Sequence, residues 1–277
     1  MPGLSRRRAR VLIDLGGVFI DRRRVKIAGR PVRAGEQIVA HLGGALARAE
    51  NRVGAAARAA DERKLPSFTI VHEDPHIIVV DKPAGLLTAP TPESDRSNLL
   101  ALLQRREAQG GQGEGVFLVH RLDLLTSGLV VFARSQAALL VLSERFRTHD
   151  LERAYLGVVA GVFPERITSV DLPIERRPAR THIQVEERFG VRASLLRCTL
   201  ETGRTHQIRI HCRSLGHPVL GDQRYGERTP LDPPRMALHA TRLGLAHPIS
   251  GAPLAFDSPW PADLTPWLNS MRANSPK

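Results

Sequence analysis

The sequence predicts an α+β protein built around a large mixed, mainly antiparallel sheet. Two observations predict it. Segments with strand patterning clearly outnumber segments with helical period. The two kinds follow one another in mixed order rather than in strict alternation, which argues against a parallel α/β fold. The 277 residues suffice for one large domain, or for one large and one small. No internal repeat is visible.

The first sixty residues differ from the rest. Arg6, Arg7, Arg8 and Arg10 open the chain, LIDLGGVFID follows, and Arg22, Arg23 and Arg24 form a second basic run. Val25 and Ile27 alternate with polar neighbours, and Gly29-Arg30-Pro31 and Gly35 mark turns. A short helix followed by small twisted strands fits this order. Residues 45–64 are rich in Ala, Arg and Glu without a clean apolar stripe, as in a helical or loosely ordered linker, and Pro66 stops them. The expected boundaries are a small basic module with the start of its linker over residues 1–62, and a main domain over 63–277.

From Phe68 the pattern becomes mixed. Residues 68–72 and 77–81 read as paired strands across Asp74-Pro75, and Lys82-Pro83-Ala84-Gly85 is a breaker-rich loop. Leu99, Leu100, Leu102 and Leu103 suggest a short helix, and residues 109–115 a Gly/Gln loop. Residues 137–146 have helical period, with Leu139, Leu142 and Phe146 on one face. Residues 155–159 and 194–200 read as strands; in the second, Leu196, Cys198 and Leu200 face one side, Arg197 and Thr199 the other. Over residues 204–215, Ile208, Cys212 and Leu215 follow i, i+4, i+7 spacing, with His211 joining the stripe. Arg209 lies off that stripe near its edge, where it can point into a cleft.

Composition narrows the function. No apolar run approaches the roughly 18 residues a bilayer-spanning helix needs, and the segment after the basic N-terminus is interrupted by Asp14 and two glycines, a poor signal-peptide core. Two cysteines, Cys198 and Cys212, make no disulfide framework and no CxxC pair. A cytoplasmic protein is expected. The net charge of +12 favours a polyanionic partner. Nearly all the basic residues are arginine, however, a bias that coding composition alone can produce. Walker and dinucleotide fingerprints are absent, as are serine and cysteine hydrolase motifs. His206, His211 and His217 lack both helical i, i+4 spacing and an acid or cysteine at a matching ligand position, so no metal is expected.

The most informative stretch is HRLDLLTSGLVVFAR, residues 120–134. Thr126, Ser127 and Gly128 have turn chemistry, and Val130, Val131 and Phe132 suit a strand. Asp123 is thus expected in a loop held against a rigid sheet, a common place for a catalytic group. Taken alone, an acid bonded to its own turn is the ordinary reading of such a residue.

The segment resembles the signature H-R-L-D-x-x-T-S-G of the RluA-like pseudouridine synthases. ETGRTHQIRIH (201–211), GHPVLGDQRYG (216–226) and RMALHATRL (235–243) resemble further blocks of that family in the right order, and the loop at Lys82 resembles another of its elements. The likeness covers roughly residues 68–270. It implies the pseudouridine synthase fold, with the N-terminal region resembling the αL-type RNA-binding module often found ahead of it. It implies isomerisation of uridine to pseudouridine in structured RNA, without metal, redox step or cofactor.

The resemblance assigns the central acid to Asp123, which attacks sugar or base or helps remove a sugar proton. A carboxylate nucleophile works ionised, and an opposite charge favours that form; the family pattern places the ion-pairing arginine at Arg209. Arg121 matches the arginine that holds the site open once the base has left the stack. Tyr155 matches the tyrosine of a K-x-Y element, with Arg153 where lysine is usual. A phenol can stack on uracil or take part in proton transfer. Arg204, Arg153, Arg7, Arg8, Arg22 and Arg23 are the expected phosphate contacts. Leu238 matches an apolar position near the site, His120 is expected to orient the loop, and Asp222 with Tyr225 to shape a structural loop.

The expected partner is structured RNA, ribosomal before transfer RNA, bound by a monomer. Two other classes compete. A non-catalytic RNA-binding or ribosome-assembly factor would be marked by loss of Asp123, Tyr155 or Arg209. A glycosidase needs two cooperating carboxylates, and no second acid is grouped with Asp123 in sequence.

Overall fold

The structure, a computed structural model, describes residues 13, 18–21, 23–25, 32, 34–40, 66–90, 98–110 and 114–274. Arg7, Arg8, Arg22 and the linker expected over residues 45–64 lie outside them. The chain divides into two units, residues 1–65 with 90–97, and residues 66–89 with 98–277.

In the first unit, strands β1 (Val18–Ile20), β2 (Arg23–Arg24) and β3 (Ile38–Ala40) form an antiparallel sheet in the order β2-β1-β3. Val18, Ile20 and Val25 make its small core, with Ile13 and Ala40 packed against them. Asp21 takes a left-handed conformation (φ 47°) and ties β1 to the start of β3: its amide donates to the Gln37 carbonyl, and its carboxylate accepts the Gln37 amide. Arg23 is exposed on β2.

The second unit is one ten-stranded sheet. Its strands are β4 (Thr69–Glu73), β5 (Ile77–Lys82), β6 (Phe117–Leu118), β7 (Ser127–Ala133), β8 (Glu152–Ala160), β9 (Ser169–Asp171), β10 (Arg180–Phe189), β11 (Ala193–Leu200), β12 (Leu238–Ala246) and β13 (Pro253–Asp257). The order is β4-β5-β7-β12-β8-β11-β10-β9, with β6 on β7 and β13 on β12. Only the β7–β12 pair is parallel. Helices α1 (Leu99–Ala108), α2 (Gln136–Thr148), α3 (Gln207–Ser214) and α4 (Thr265–Ala273) complete the unit among the described residues. Asn98 and Ser135 cap α1 and α2 through side chains that accept the amides of Ala101 and Ala138.

Two cores flank the middle of the sheet. One joins Ile77 and Val79 of β5, Leu129 and Val131 of β7, Ala138 and Leu142 of α2, and Leu243 and Leu245 of β12. The other joins Val158, Phe189 and Leu195 to Leu264, Leu268 and Met271 around α4. β7 is buried along its whole length, so it reads as a continuous apolar run rather than an alternation.

The sheet forks where β7 meets β12. β7 pairs with β12 only through Ser127–His239 and Gly128–Ala240, and β13 occupies the same edge of β12 from Arg242 onward. The turn expected at Thr126-Ser127-Gly128 lies two residues earlier, at Leu124-Leu125, and Ser127 already begins β7. Gly128 is needed for a different reason: its φ is +109°, and a Cβ there would lie 2.2 Å from the Ala240 carbonyl oxygen. Gly128→Ala is expected to cost about 3 kcal/mol or more, from backbone strain and overpacking together. Chemical denaturation measures it, and a loss under about 1 kcal/mol would mean the strands can part freely here.

Candidate active site

The loop from His120 to Thr126 runs into the fork, and other elements fasten it on both sides of Asp123. On the N-terminal side, the Thr88 hydroxyl donates to the Leu122 carbonyl (2.8 Å) and accepts the Leu122 amide (3.2 Å). On the C-terminal side, the Gly85 amide donates to the Leu124 carbonyl (2.8 Å). Lys82, fully buried, donates to the carbonyls of Pro83 and Leu86 at 2.9 Å and reaches that of Leu124 at 3.5 Å. Its burial and the Arg235 charge push its pKa down to about 7. Ser127, at the foot of β7, bonds His239 Nδ1 and accepts from Arg235, both at 3.0 Å.

α3 supplies the cation. Of the expected stripe, Ile208, His211 and Cys212 are buried, while Leu215 is half-buried, at the C-cap of the helix. It starts at Gln207 rather than at residue 204, because His206 is left-handed (φ 56°) and the Gln207 side chain folds back to accept the Arg204 amide. Arg209 is 9% exposed and binds two acids at once. Nε and Nη2 grip both oxygens of Asp222 at 2.7 and 2.8 Å, while Nη1 donates to Asp123 Oδ2 at 2.8 Å. The fixed fork of a guanidinium permits this division.

The two carboxylates have different surroundings. The Asp222 side chain is fully buried, whereas that of Asp123 is 25% exposed. Asp222 also accepts the amides of Arg224 and Tyr225. Burial pushes its carboxyl up, but Arg209 and those amides outweigh burial and hold it below the usual carboxylate range.

Asp123, Tyr155, Arg209, Arg121, Arg204 and Leu238 line one pocket that opens to solvent. Tyr155 stands on β8, paired in register with Ala240 of β12 and Cys198 of β11. It is 9% exposed, and its burial raises its pKa. Arg121 is exposed at the rim. Arg204 is half-buried, its Nε donating to the Pro178 carbonyl. Arg153 is 7% exposed, set into the protein beside Tyr155 rather than on its surface. Arg23 belongs to the first unit.

Three neighbours were not picked out as site residues from sequence. Asp222 was expected only to shape its loop, which it does through its two amide bonds, but it also holds Arg209. His206 approaches Asp123 with Nε2 3.6 Å from Oδ1, and its Nδ1 bonds the Tyr225 hydroxyl at 3.0 Å. Lys82 supports the loop from below. None could be found by periodicity, because each acts across the fold; only the family-like blocks containing them gave a signal. His211 and His217 turn elsewhere, to Thr181 with Leu172 and to Ala160.

His120 does fasten the loop. Its ring stacks on Phe146 (4.3 Å between centroids), and its Nε2 accepts the Val131 amide at 3.1 Å. Only a ring nitrogen without a proton can accept. Burial, then the Arg153 charge, push its pKa down to about 3 from 6.5. Between those two values the unfolded chain takes up a proton that the folded chain refuses, so stability falls as pH drops through that window. His120→Gln, whose amide oxygen can still accept from Val131, is expected to narrow the stability difference between pH 7 and pH 4. An unchanged difference would show that His120 is not the neutral acceptor.

Residues 76–214 match the family model described as RNA pseudouridylate synthase. The chain belongs to the RNA pseudouridylate synthase family. Residues 1–38 match the S4 domain model. The chain is 41% identical over 73% of its length to "Ribosomal large subunit pseudouridine synthase D" of Nitrosomonas europaea, spanning 65% of that relative. It is 40% identical over 98% of its length to an "Uncharacterized RNA pseudouridine synthase" of Chloroflexus aurantiacus, spanning 87% of that one. Among solved structures, "Human RNA Pseudouridylate Synthase Domain Containing 1" superposes with a TM-score of 0.57 at 26% identity, covering 77% of this chain and 98% of the human chain. "Human RNA Pseudouridylate Synthase Domain Containing 4" gives a TM-score of 0.60 over 80% of this chain and 97% of the other, and at 23% identity shares the fold. No helix among the described residues is long and apolar enough to cross a membrane.

Proposed function

We propose that the protein converts uridine to pseudouridine in large-subunit ribosomal RNA, with Asp123 as the reacting acid. The observation that carries this reading is the shared guanidinium of Arg209. One of its acids is buried and fixed, and the other is presented to an open pocket whose wall includes Tyr155.

The reaction breaks the C1′–N1 bond of uridine, turns the base, and forms a C1′–C5 bond. The proton on C5 is then lost and N1 ends protonated. Asp123 attacks the sugar or the base, or assists removal of a sugar proton, and Arg209 Nη1, 2.8 Å from its Oδ2, holds it aimed into the pocket. Tyr155 offers an aromatic face to the everted uracil and a phenol within reach of proton transfer. Arg121 at the rim and Arg204 in the wall meet phosphates, with Arg121 occupying the opening while the base is out of its stack. The basic first unit adds phosphate contacts that carry no base readout. The names of the relatives support ribosomal RNA as the substrate.

Pseudouridine mapping in total RNA from cells with and without the protein tests this. The expected result is loss of modification at a uridine of large-subunit ribosomal RNA. Loss confined to transfer RNA would move the substrate, and a map that does not change would sink the proposal.

A further inference from the structure

We infer that Arg153, with His149 and Arg204, forms a phosphate subsite beside the uracil pocket, which anchors a phosphate flanking the target uridine. This rests on the RNA reading above and deepens it, giving the phosphate contact expected at Arg153 a defined place in the fold and a stated ligand.

The starting point is a cation without an anion. Arg153 is 7% exposed, yet its Nε and Nη2 are buried with no hydrogen-bond partner. On one side its guanidinium lies over the Phe146 ring, with Cζ 5.6 Å from the centroid. On another the backbone of Gly203 closes in so tightly that a Cβ there would come within 2.4 Å of Nη1. The ring face offsets part of the cost of burying the charge, but a buried cation is expensive unless paired and hydrogen-bonded. The ordinary outcome in a protein interior is an acid beside it, and among the described residues none bonds it.

A second orphan lies near the first. His149, in left-handed conformation at the end of α2, has a buried Nδ1 without a hydrogen-bond partner. It lies within electrostatic reach of both Arg153 and Arg204. Glu201, the acid that also acts on it, is engaged elsewhere, 3.0 Å from His182 Nε2 and 3.5 Å from Arg180 Nη1. The cluster therefore carries net positive charge and leaves donors unsatisfied.

Its position identifies the ligand class. Arg153 and Tyr155 are two residues apart on β8, so their side chains leave the same face of the sheet. Arg204 already lines the pocket with Tyr155. A group beside a uracil stacked on Tyr155, rich in acceptors and negatively charged, is a phosphodiester of the same strand. Arginine's forked donors match phosphate oxygens two at a time. The short turn through Gly203 is the cover, and a glycine there lets it rest on the guanidinium in the free protein and yield to a phosphate oxygen.

The test uses the full chain with two probes, uridine and uridine 3′,5′-bisphosphate, followed by calorimetry and by the Arg Nε–H resonances in NMR. Wild type is expected to bind the bisphosphate about tenfold more tightly than uridine, the scale of one charged hydrogen-bonded contact. Arg153→Gln should remove most of that advantage and leave uridine binding unchanged, while Arg153→Lys should keep part of it. The Arg153 Nε signal should move with the bisphosphate and stay still with uridine, a readout that survives even if a variant fails to fold. Equal weakening of both probes by Arg153→Gln would mean that Arg153 only supports Tyr155. A stationary Arg153 signal while pocket signals move would remove the subsite and leave the uracil pocket standing, and failure of the bisphosphate to outbind uridine would remove it too. RNA mapping judges the isomerase reading separately.

Discussion

Asp123→Asn is expected to abolish pseudouridine formation, lowering turnover by at least about 10³-fold, while RNA binding survives. The size follows from the chemistry: a neutral amide can neither attack carbon nor accept a proton, so the step loses its reacting group rather than a helper. Binding survives because the phosphate contacts lie on other residues and because asparagine keeps an oxygen for Arg209 Nη1, now 2.8 Å from Oδ2. Single-turnover assays on the mapped RNA, paired with a binding titration, separate the two effects. Turnover within tenfold of wild type would remove Asp123 from its assigned role. Loss of binding in parallel with turnover would make it a structural acid.

Asp222→Ala is expected to be the costliest substitution for stability. It deletes the bidentate partner of a guanidinium whose side chain is only 10% exposed, together with the acceptor for the Arg224 and Tyr225 amides. Removing one member of a buried pair costs about 3–5 kcal/mol, because the remaining charge is left without compensation. Turnover should fall as well, since Arg209 would then be held in place by Asp123 alone. Asp222→Asn keeps an acceptor for the amides and should lose less. The pH dependence has a definite sign. The folded carboxyl is held below its unfolded value of 3.8, so its contribution is complete above that value and disappears as pH falls through the folded one. Urea denaturation measures the loss, and a change of under about 1 kcal/mol would refute the pairing as drawn.

The readable parts of the sequence were those governed by local chemistry. The strand pair around Asp74-Pro75, the helix over residues 136–148 and the buried stripe of α3 follow from periodicity and turn residues. The pairing of Asp123 with Arg209 came from family-like motifs, because 86 residues separate the two and no local rule joins them. Thr-Ser-Gly was misread as a turn because its chemistry suits one, whereas Gly128 is required by the approach of Ala240, a tertiary fact. α3 starts later than its apolar spacing implies because the Gln207 side chain accepts the Arg204 amide and holds residues 204–206 in a turn ahead of the helix, with His206 left-handed and no side-chain cap to mark the start. Asp222 escaped notice as a site residue because its second role depends on which arginine the fold delivers to it.

The fastening of Leu122 and Leu124 has a consequence for substrate choice. With both flanking residues tied to the 82–88 segment, the polypeptide around the acid is set before any nucleic acid arrives. The work of rearrangement then falls on the RNA, which must surrender a base from its stack. Under the proposed function, uridines already weakly held, in loops and at the ends of stems, are the expected targets.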